Sequence, residues 1–536
     1  MTRTPTPGSD GPGYAAAGGP DERASRASAL ALTALLGVLL MVRGTIADSP
    51  GLWIDEGFSL AHARGSFAQL WTEGWRLESS PPLYYSLLRA WTGLVGQSEV
   101  AARLLSVLLT GVSALFVHRA ARVLAGPIAA GVAVLTWMLP ALAFEYSIEI
   151  RPYALLMVFV AGSVFALARV LVAHRERRIG TASAALRAVA PVVLAGTAAF
   201  YTHTTAFACL VGLAAAALYH GWRTRAGAGF FAVWLGGCGA LALLCAPHVV
   251  VALGVLDSNR AGLAWIPSSF DPRHLLLVGR HLVLGQIYWN TLLLTLLAAA
   301  VYVGLAVLAW RCRARTEVIA IGVVLPVVGF LALWVAGMSQ PILMARTVLW
   351  LWVPLAVLVG CAAADLDWRR PVPRAAAVAA VLLAAATTMG YLEDRPHQRP
   401  WHAALVALEA RIQPGDGVLL LDSEVGCVLD RYAGPALRAA PRARLHLGRF
   451  QRFWSGQRLN LGCNDLPLVG ASAIGHLNGS ADWVLTGDER QRNDLARLLE
   501  HERGRLEVVD RIVIGRYPAA TRIVDLSRQP PGSSPR

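Results

Sequence analysis

The chain has 536 residues, 55% of them hydrophobic, with a mean hydropathy of +0.50 and a formal net charge of +14. That composition excludes a soluble enzyme, and runs long enough to span hydrocarbon recur from about residue 29 to about 391. All 48 basic residues are Arg and lie in short clusters between apolar runs, which is a topology signal and excludes the continuous basic stripe of a nucleic-acid binder.

In chain order, residues 1–26 are rich in Pro, Gly, Ser and Ala and are expected to be disordered and cytoplasmic. Residues 27–46 are too long for a signal-peptide core and read as an anchor, which delivers the loop Trp53-Ile54-Asp55-Glu56 to the outer face. Pro82–Val95 is short for a span and carries Arg89; laid along the outer surface, it puts every later Arg cluster inside. Further spans are predicted at 101–117, 124–143, 153–173, 186–200, 204–221, 228–250, 291–310, 317–337, 346–364 and 374–391, eleven in all with the anchor. Their inner loops are Arg-rich, for example His118-Arg119-Ala-Ala-Arg122 and Arg311-Cys-Arg313-Ala-Arg315. The transmembrane domain thus covers 27–391. From 392 to 536 the composition turns polar, and strands at 418–422, 483–486 and 511–515 with a helix at 493–501 predict a small extracytoplasmic α/β domain. Cys427 and Cys463 fall in this tail and would be able to pair outside the cell, whereas Cys209, Cys238, Cys245, Cys312 and Cys361 belong to apolar runs. The predicted fold class is therefore an α-helical polytopic membrane protein of about eleven transmembrane helices with outer juxtamembrane helices and a C-terminal α/β domain.

The ionisable residues of the predicted outer loops are the ones to weigh for chemistry. Asp55-Glu56 places adjacent carboxylates at the membrane surface, where a base stays ionised and wet beside a lipid-linked substrate. Glu78-Ser79-Ser80-Pro81-Pro82-Leu83-Tyr84-Tyr85 starts the surface helix with two prolines of preset φ. Glu145-Tyr146-Ser147-Ile148-Glu149-Ile150-Arg151-Pro152-Tyr153 brings carboxylate, guanidinium and phenol to the start of a span, where charge is costly unless paired or functional. Tyr201-Thr202-His203 sits between two spans. No Gly-rich phosphate loop and no metal-ligand spacing stands out.

Trp53-x-Asp55-Glu56, Pro81-Pro82-Leu83-Tyr84-Tyr85, Arg103-Leu-Leu-Ser106, Glu149-x-Arg151-x-Tyr153, Tyr201-Thr-His203 and Arg346 with Pro354 occur together in this order. Over about residues 29–360 the chain resembles the membrane glycosyltransferases of the C superfamily, in the family 39-like group of protein O-mannosyltransferases, lipid A aminoarabinose transferases and Rgt-like enzymes. It departs from the bacterial pattern at Ser80, where His usually precedes the double proline, and at Thr347, where Tyr is common. The resemblance implies transfer of a sugar, mannose or a pentose, from a polyprenyl-phosphate donor to a glycolipid, polysaccharide or protein acceptor, with inversion. Asp55 would be the general base and Glu56 its tuner or a sugar contact. Arg151 and Arg346 would hold the donor phosphate, with Glu78, Glu149, Tyr153 and His203 lining the substrate site. No protein metal site is expected, and a divalent cation stays open as a cofactor. The expected place is the inner (plasma) membrane with the site outside. The alternative from a different class is a transporter or flippase of a lipid-linked sugar, which would carry mid-span charges and inverted repeats.

Overall fold

The computed structural model describes residues 37, 39–46, 51–77, 81–178, 181–255, 266–286, 291–398, 401–421, 425–447, 466–474, 477, 481–486, 489–503, 505–513 and 519–525. The expectations for residues 1–26, for Glu78 and for Cys463 lie outside them. The chain is mainly helical. After a helical segment at 39–46 come α1 (Ile54–His62), α2 (Leu83–Val95), α3 (Glu99–Met138), α4 (Ala141–Ser147), α5 (Tyr153–Arg175), α6 (Ala182–Thr202), α7 (Ala206–Arg223) and α8 (Ala228–Gly254). They are followed by α9 (Pro272–Leu284), α10 (Thr291–Arg311), α11 (Leu325–Ser339), α12 (Trp352–Ala363) and α13 (Pro371–Gln398). Eight helices among the described residues are long and apolar enough to cross a bilayer, so this is a multi-pass membrane protein.

The difference from eleven predicted spans has physical causes. Helix α3 runs for 40 residues but breaks at Gly126, whose φ of 86° is open to glycine at no steric cost, and Pro127 follows it. The Trp137 indole N–H donates to the Ser113 hydroxyl at 3.0 Å, although a straight helix would set them about 36 Å apart. The two halves of α3 are therefore arms of a hairpin, matching the two spans predicted at 101–117 and 124–143. The turn is at Gly126-Pro127, and His118–Arg122 belongs to the last turns of the first arm instead of forming a loop. Helix α7 is long but less apolar toward Arg223, and it is not among the eight.

Small residues let these helices approach. Ala114, Ala120, Ala121, Ala129 and Ala133 of α3 are fully buried in the main core, which α5 and α12 share. At one end of the bundle Arg175 pairs with Glu317 at 3.5 Å and Arg315 with Asp365 at 2.8 Å, all from the predicted inner loops or span ends. Asp55, Arg151 and Arg346 meet at the other end.

Helix α2 has 13 residues, about 20 Å, too few for a hydrocarbon core of about 30 Å. Tyr84, Tyr85 and Leu88 are buried against the bundle, while Leu94 is 84% exposed. Cysteines introduced between Leu94 and Glu99 should react with an impermeant reagent on intact cells. Labelling only after permeabilisation would invert the topology.

Beyond α13 lie α14 (Trp401–Glu409) and α15 (Val425–Tyr432), and a six-stranded sheet follows the order β3-β2-β1-β4-β6-β5. Its strands are β1 (Asp416–Leu420), β2 (Arg442–His446), β3 (Leu468–Gly470), β4 (Ala481–Thr486), β5 (Leu506–Val513) and β6 (Ala519–Asp525). Strands β3, β2, β1 and β4 are parallel, and β6 and β5 complete the sheet antiparallel. The continuous apolar runs of β1 and β4 suit a sheet covered on both faces, and two separate buried clusters flank it. Cys427, on α15, is disulfide-bonded.

Candidate active site

The site starts from the pitch of one helix. Asp55 and Glu56 are neighbours in the first turn of α1, so their side chains leave the axis about 100° apart and meet different surroundings. Glu56 turns inward and is fully buried. The Arg103 guanidinium, also fully buried, donates Nε–H to Oε1 at 2.9 Å and Nη2–H to Oε2 at 2.7 Å. The Ile150 N–H donates to the same carboxylate at 3.2 Å and the Trp53 N–H at 3.4 Å. Four donors on two oxygens occupy it with the protein itself.

Asp55 turns the other way and keeps 19% of its side chain exposed. Arg346 reaches it from the short 3₁₀ turn that opens into α12, with Nη1 3.0 Å from Oδ2. Arg151, just before α5, sets its Nε 3.9 Å from the same oxygen. Its Nη1 donates to the Ser59 hydroxyl at 3.3 Å and to the Asp55 carbonyl at 3.4 Å. Two guanidiniums from different parts of the bundle thus converge on one accessible carboxylate. This trio carries one more positive charge than negative.

Around it, Tyr153 is buried between Tyr146, edge-on at 4.7 Å, and His203 at 5.3 Å. The His203 Nδ1 accepts the Thr205 N–H at 3.2 Å, which fixes the ring. Burial, reinforced by Arg151 and Arg346, pushes His203 down to about 3, so it is a neutral ring at any working pH and contributes no cation. Glu149 is fully buried behind the site, its backbone carbonyl accepting from the Ser106 hydroxyl at 2.5 Å. Of the residues singled out in the sequence, Asp55, Arg151, Arg346, Tyr153 and His203 come together. Glu56 and Glu149 sit in the supporting layer.

Three contributors had no sequence reading of their own at the site. Arg103 appeared only as part of a motif, and the signal for more was a guanidinium inside an apolar run, which demands a buried partner. His62 is buried beside Tyr85 at 4.3 Å, and burial followed by Arg151 lowers it to about 4, so it too stays neutral. Trp75 donates its indole N–H to the His248 Nδ1 at 2.8 Å, and the Thr204 hydroxyl lies 3.0 Å from the His248 Nε2, extending the aromatic wall past His203.

Residues 79–178, from the start of α2 through α5, match the family model described as dolichyl-phosphate-mannose-protein mannosyltransferase. The structure also superposes on ArnT from Cupriavidus metallidurans in the apo state, with a TM-score of 0.57 at 14% identity over 93% of this chain and 98% of that one. The chain has the fold of ArnT. ArnT bound to undecaprenyl phosphate matches at a TM-score of 0.54 and 15% identity, over 92% of this chain and 97% of that one. No curated protein matches the chain by sequence.

Proposed function

We propose that the chain is an integral-membrane glycosyltransferase that moves a sugar from a polyprenyl-phosphate donor to an acceptor hydroxyl outside the plasma membrane, with inversion. The carrying observation is the Asp55 carboxylate, partly open and set between Arg346 at 3.0 Å and Arg151 at 3.9 Å. The acceptor oxygen attacks the anomeric carbon opposite the phosphate and gives its proton to Asp55. The carbon–oxygen bond to the phosphate breaks with its electron pair leaving on polyprenyl phosphate. A phosphodiester donor carries one negative charge and the departing phosphomonoester carries two, so fixed guanidiniums stabilise the products of bond cleavage more than the ground state. A planar fork suits that task better than an ammonium.

Support for the donor class comes from the fold shared with ArnT, which binds undecaprenyl phosphate, and from the mannosyl-phosphate family matched over 79–178. Mannose is accordingly the first sugar to test, and a pentose, with arabinofuranose as the probe, is the second. Glycolipid, polysaccharide and protein acceptors all satisfy the same chemistry. The test is purified protein in lipid with a labelled polyprenyl-phosphate mannose or arabinofuranose, reading release of polyprenyl phosphate. A protein that moves either donor across a vesicle bilayer without releasing polyprenyl phosphate would be a flippase.

Within this mechanism Arg346→Lys keeps the charge and loses the fork. Donor affinity should fall roughly tenfold, the loss of one charge-assisted hydrogen bond, with the melting temperature little changed. Unchanged donor affinity would remove Arg346 from the phosphate site.

A further inference from the structure

We propose that the C-terminal domain is part of the transfer machinery, and that Tyr432 is the positioning residue through which it sets the Asp55 turn; this rests on Asp55 being the base.

A single hydroxyl makes the connection. The Tyr432 oxygen accepts the Leu52 backbone N–H at 2.6 Å and donates to Glu99 Oε1 at 2.7 Å. Leu52 lies three residues before Asp55, and Glu99 is the first residue of α3. Arg103 stands one helical turn after Glu99, hence on the same face of α3, and grips Glu56 and the Gly51 carbonyl, the latter at 3.4 Å. A closed ring results, running from Glu99 through Tyr432 and Leu52 to Glu56 and back through Arg103 to α3. The Asp55 turn is held by the bundle on one side and by the C-terminal domain on the other.

The packing around the ring is equally close. A Cβ on Gly57 would come within 2.9 Å of the Val428 side chain, so α1 and α15 touch where only glycine fits. Ile54 packs against the apolar cluster of the C-terminal domain, and Tyr432 against the cluster under α1 and α2. Arg431 adds a hydrogen bond from Nη2 to the Gln97 carbonyl at 3.0 Å, just ahead of α3. A domain serving only to dock acceptor would not need a hydroxyl inside the turn that carries the base.

The Tyr432 hydroxyl bonds to Leu52 and Glu99, and the donor-site guanidiniums Arg151 and Arg346 bond to Asp55, so loss of the hydroxyl should misplace the base without weakening the donor site. In full-length protein assayed with labelled polyprenyl-phosphate mannose and arabinofuranose, Tyr432→Phe should lower kcat by roughly 10- to 100-fold, the scale of a displacement near 1 Å. The donor KM should stay within about twofold, taking binding and positioning as separable. Hydrogen exchange, which needs no donor, should speed up at the amides of Leu52 to Glu56 while α5 and the sheet keep wild-type protection. Wild-type exchange at those amides overturns the proposal, and so does faster exchange spread over the whole C-terminal domain, which is general destabilisation. Asp55→Asn separates the two readings. If that variant turns over normally, the base assignment fails and the exchange data alone judge the ring. If it is inactive while Tyr432→Phe is wild type, only the ring fails.

Discussion

Asp55→Asn is expected to reduce turnover by roughly 10²-fold or more, the usual loss when a general base is removed, while donor affinity stays the same or rises. The substitution preserves the shape of the side chain, and its amide oxygen can still accept from Arg346 Nη1, now 3.0 Å from Oδ2. What it loses is the ability to take a proton. It also removes the anion against which an incoming donor phosphate must compete for Arg346 and Arg151. The direction of the affinity change therefore discriminates. If Asp55 served only to hold the two guanidiniums in place, its neutralisation would loosen them and weaken donor binding, with turnover falling in proportion to occupancy. Single-turnover rates at saturating donor, alongside a donor titration, separate these outcomes. A rate near wild type under saturation would take Asp55 out of the mechanism.

How far the site could be read in advance follows from where its residues lie. Asp55, Arg151, His203 and Arg346 each adjoin the end of an apolar run, and alternation of the spans sends all those ends to one side. That logic brings together residues 291 positions apart, as Asp55 and Arg346 are. It does not pair partners within the buried layer. Nothing in the order of the spans says that Arg103 meets Glu56, or that Tyr432, 333 residues beyond Glu99, meets both α3 and the Asp55 turn. In the C-terminal domain the apolar cores of β1 and β4 were readable, as was the helix now seen as Glu489–His501. Strand β2 was not, because Arg442, Arg444 and His446 alternate with buried Ala443 and Leu445. Such a five-residue pattern, flanked by Pro441, also describes a surface loop. The hairpin in α3 was readable as two spans, but its turn was misplaced because an Arg cluster marks a membrane face without marking the residue at which the helix ends.

The adjacent pair Asp55-Glu56 divides into a reactive and a supporting carboxylate, and the buried half makes the second large effect. Arg103→Met should destabilise the protein by about 3–5 kcal/mol, because it leaves the fully buried Glu56 without its counter-charge. Glu56→Gln should also destabilise, by removing the charge that Arg103 grips with two hydrogen bonds. The double variant Glu56→Gln with Arg103→Met buries no charge, so its melting temperature should return most of the way to wild type, as measured by thermal unfolding in one detergent. Activity in that double variant then decides what Glu56 does. The Gln side chain can still accept from the Ile150 and Trp53 N–H groups, now 3.2 and 3.4 Å from the carboxylate, while the Arg103 contacts to Glu56 and the Gly51 carbonyl are gone, so hydrogen exchange at the Leu52 to Glu56 amides is read alongside turnover to report the shape of the turn. Recovery of turnover with stability assigns Glu56 to holding the turn, as four protein donors on its two oxygens indicate. Recovered stability and wild-type exchange at the turn, with turnover still down, would require its charge in the reaction itself, as a tuner of Asp55 or a contact to a sugar hydroxyl. The geometry favours the first outcome, since the carboxylate that faces the accessible side of α1 is Asp55 alone of the two.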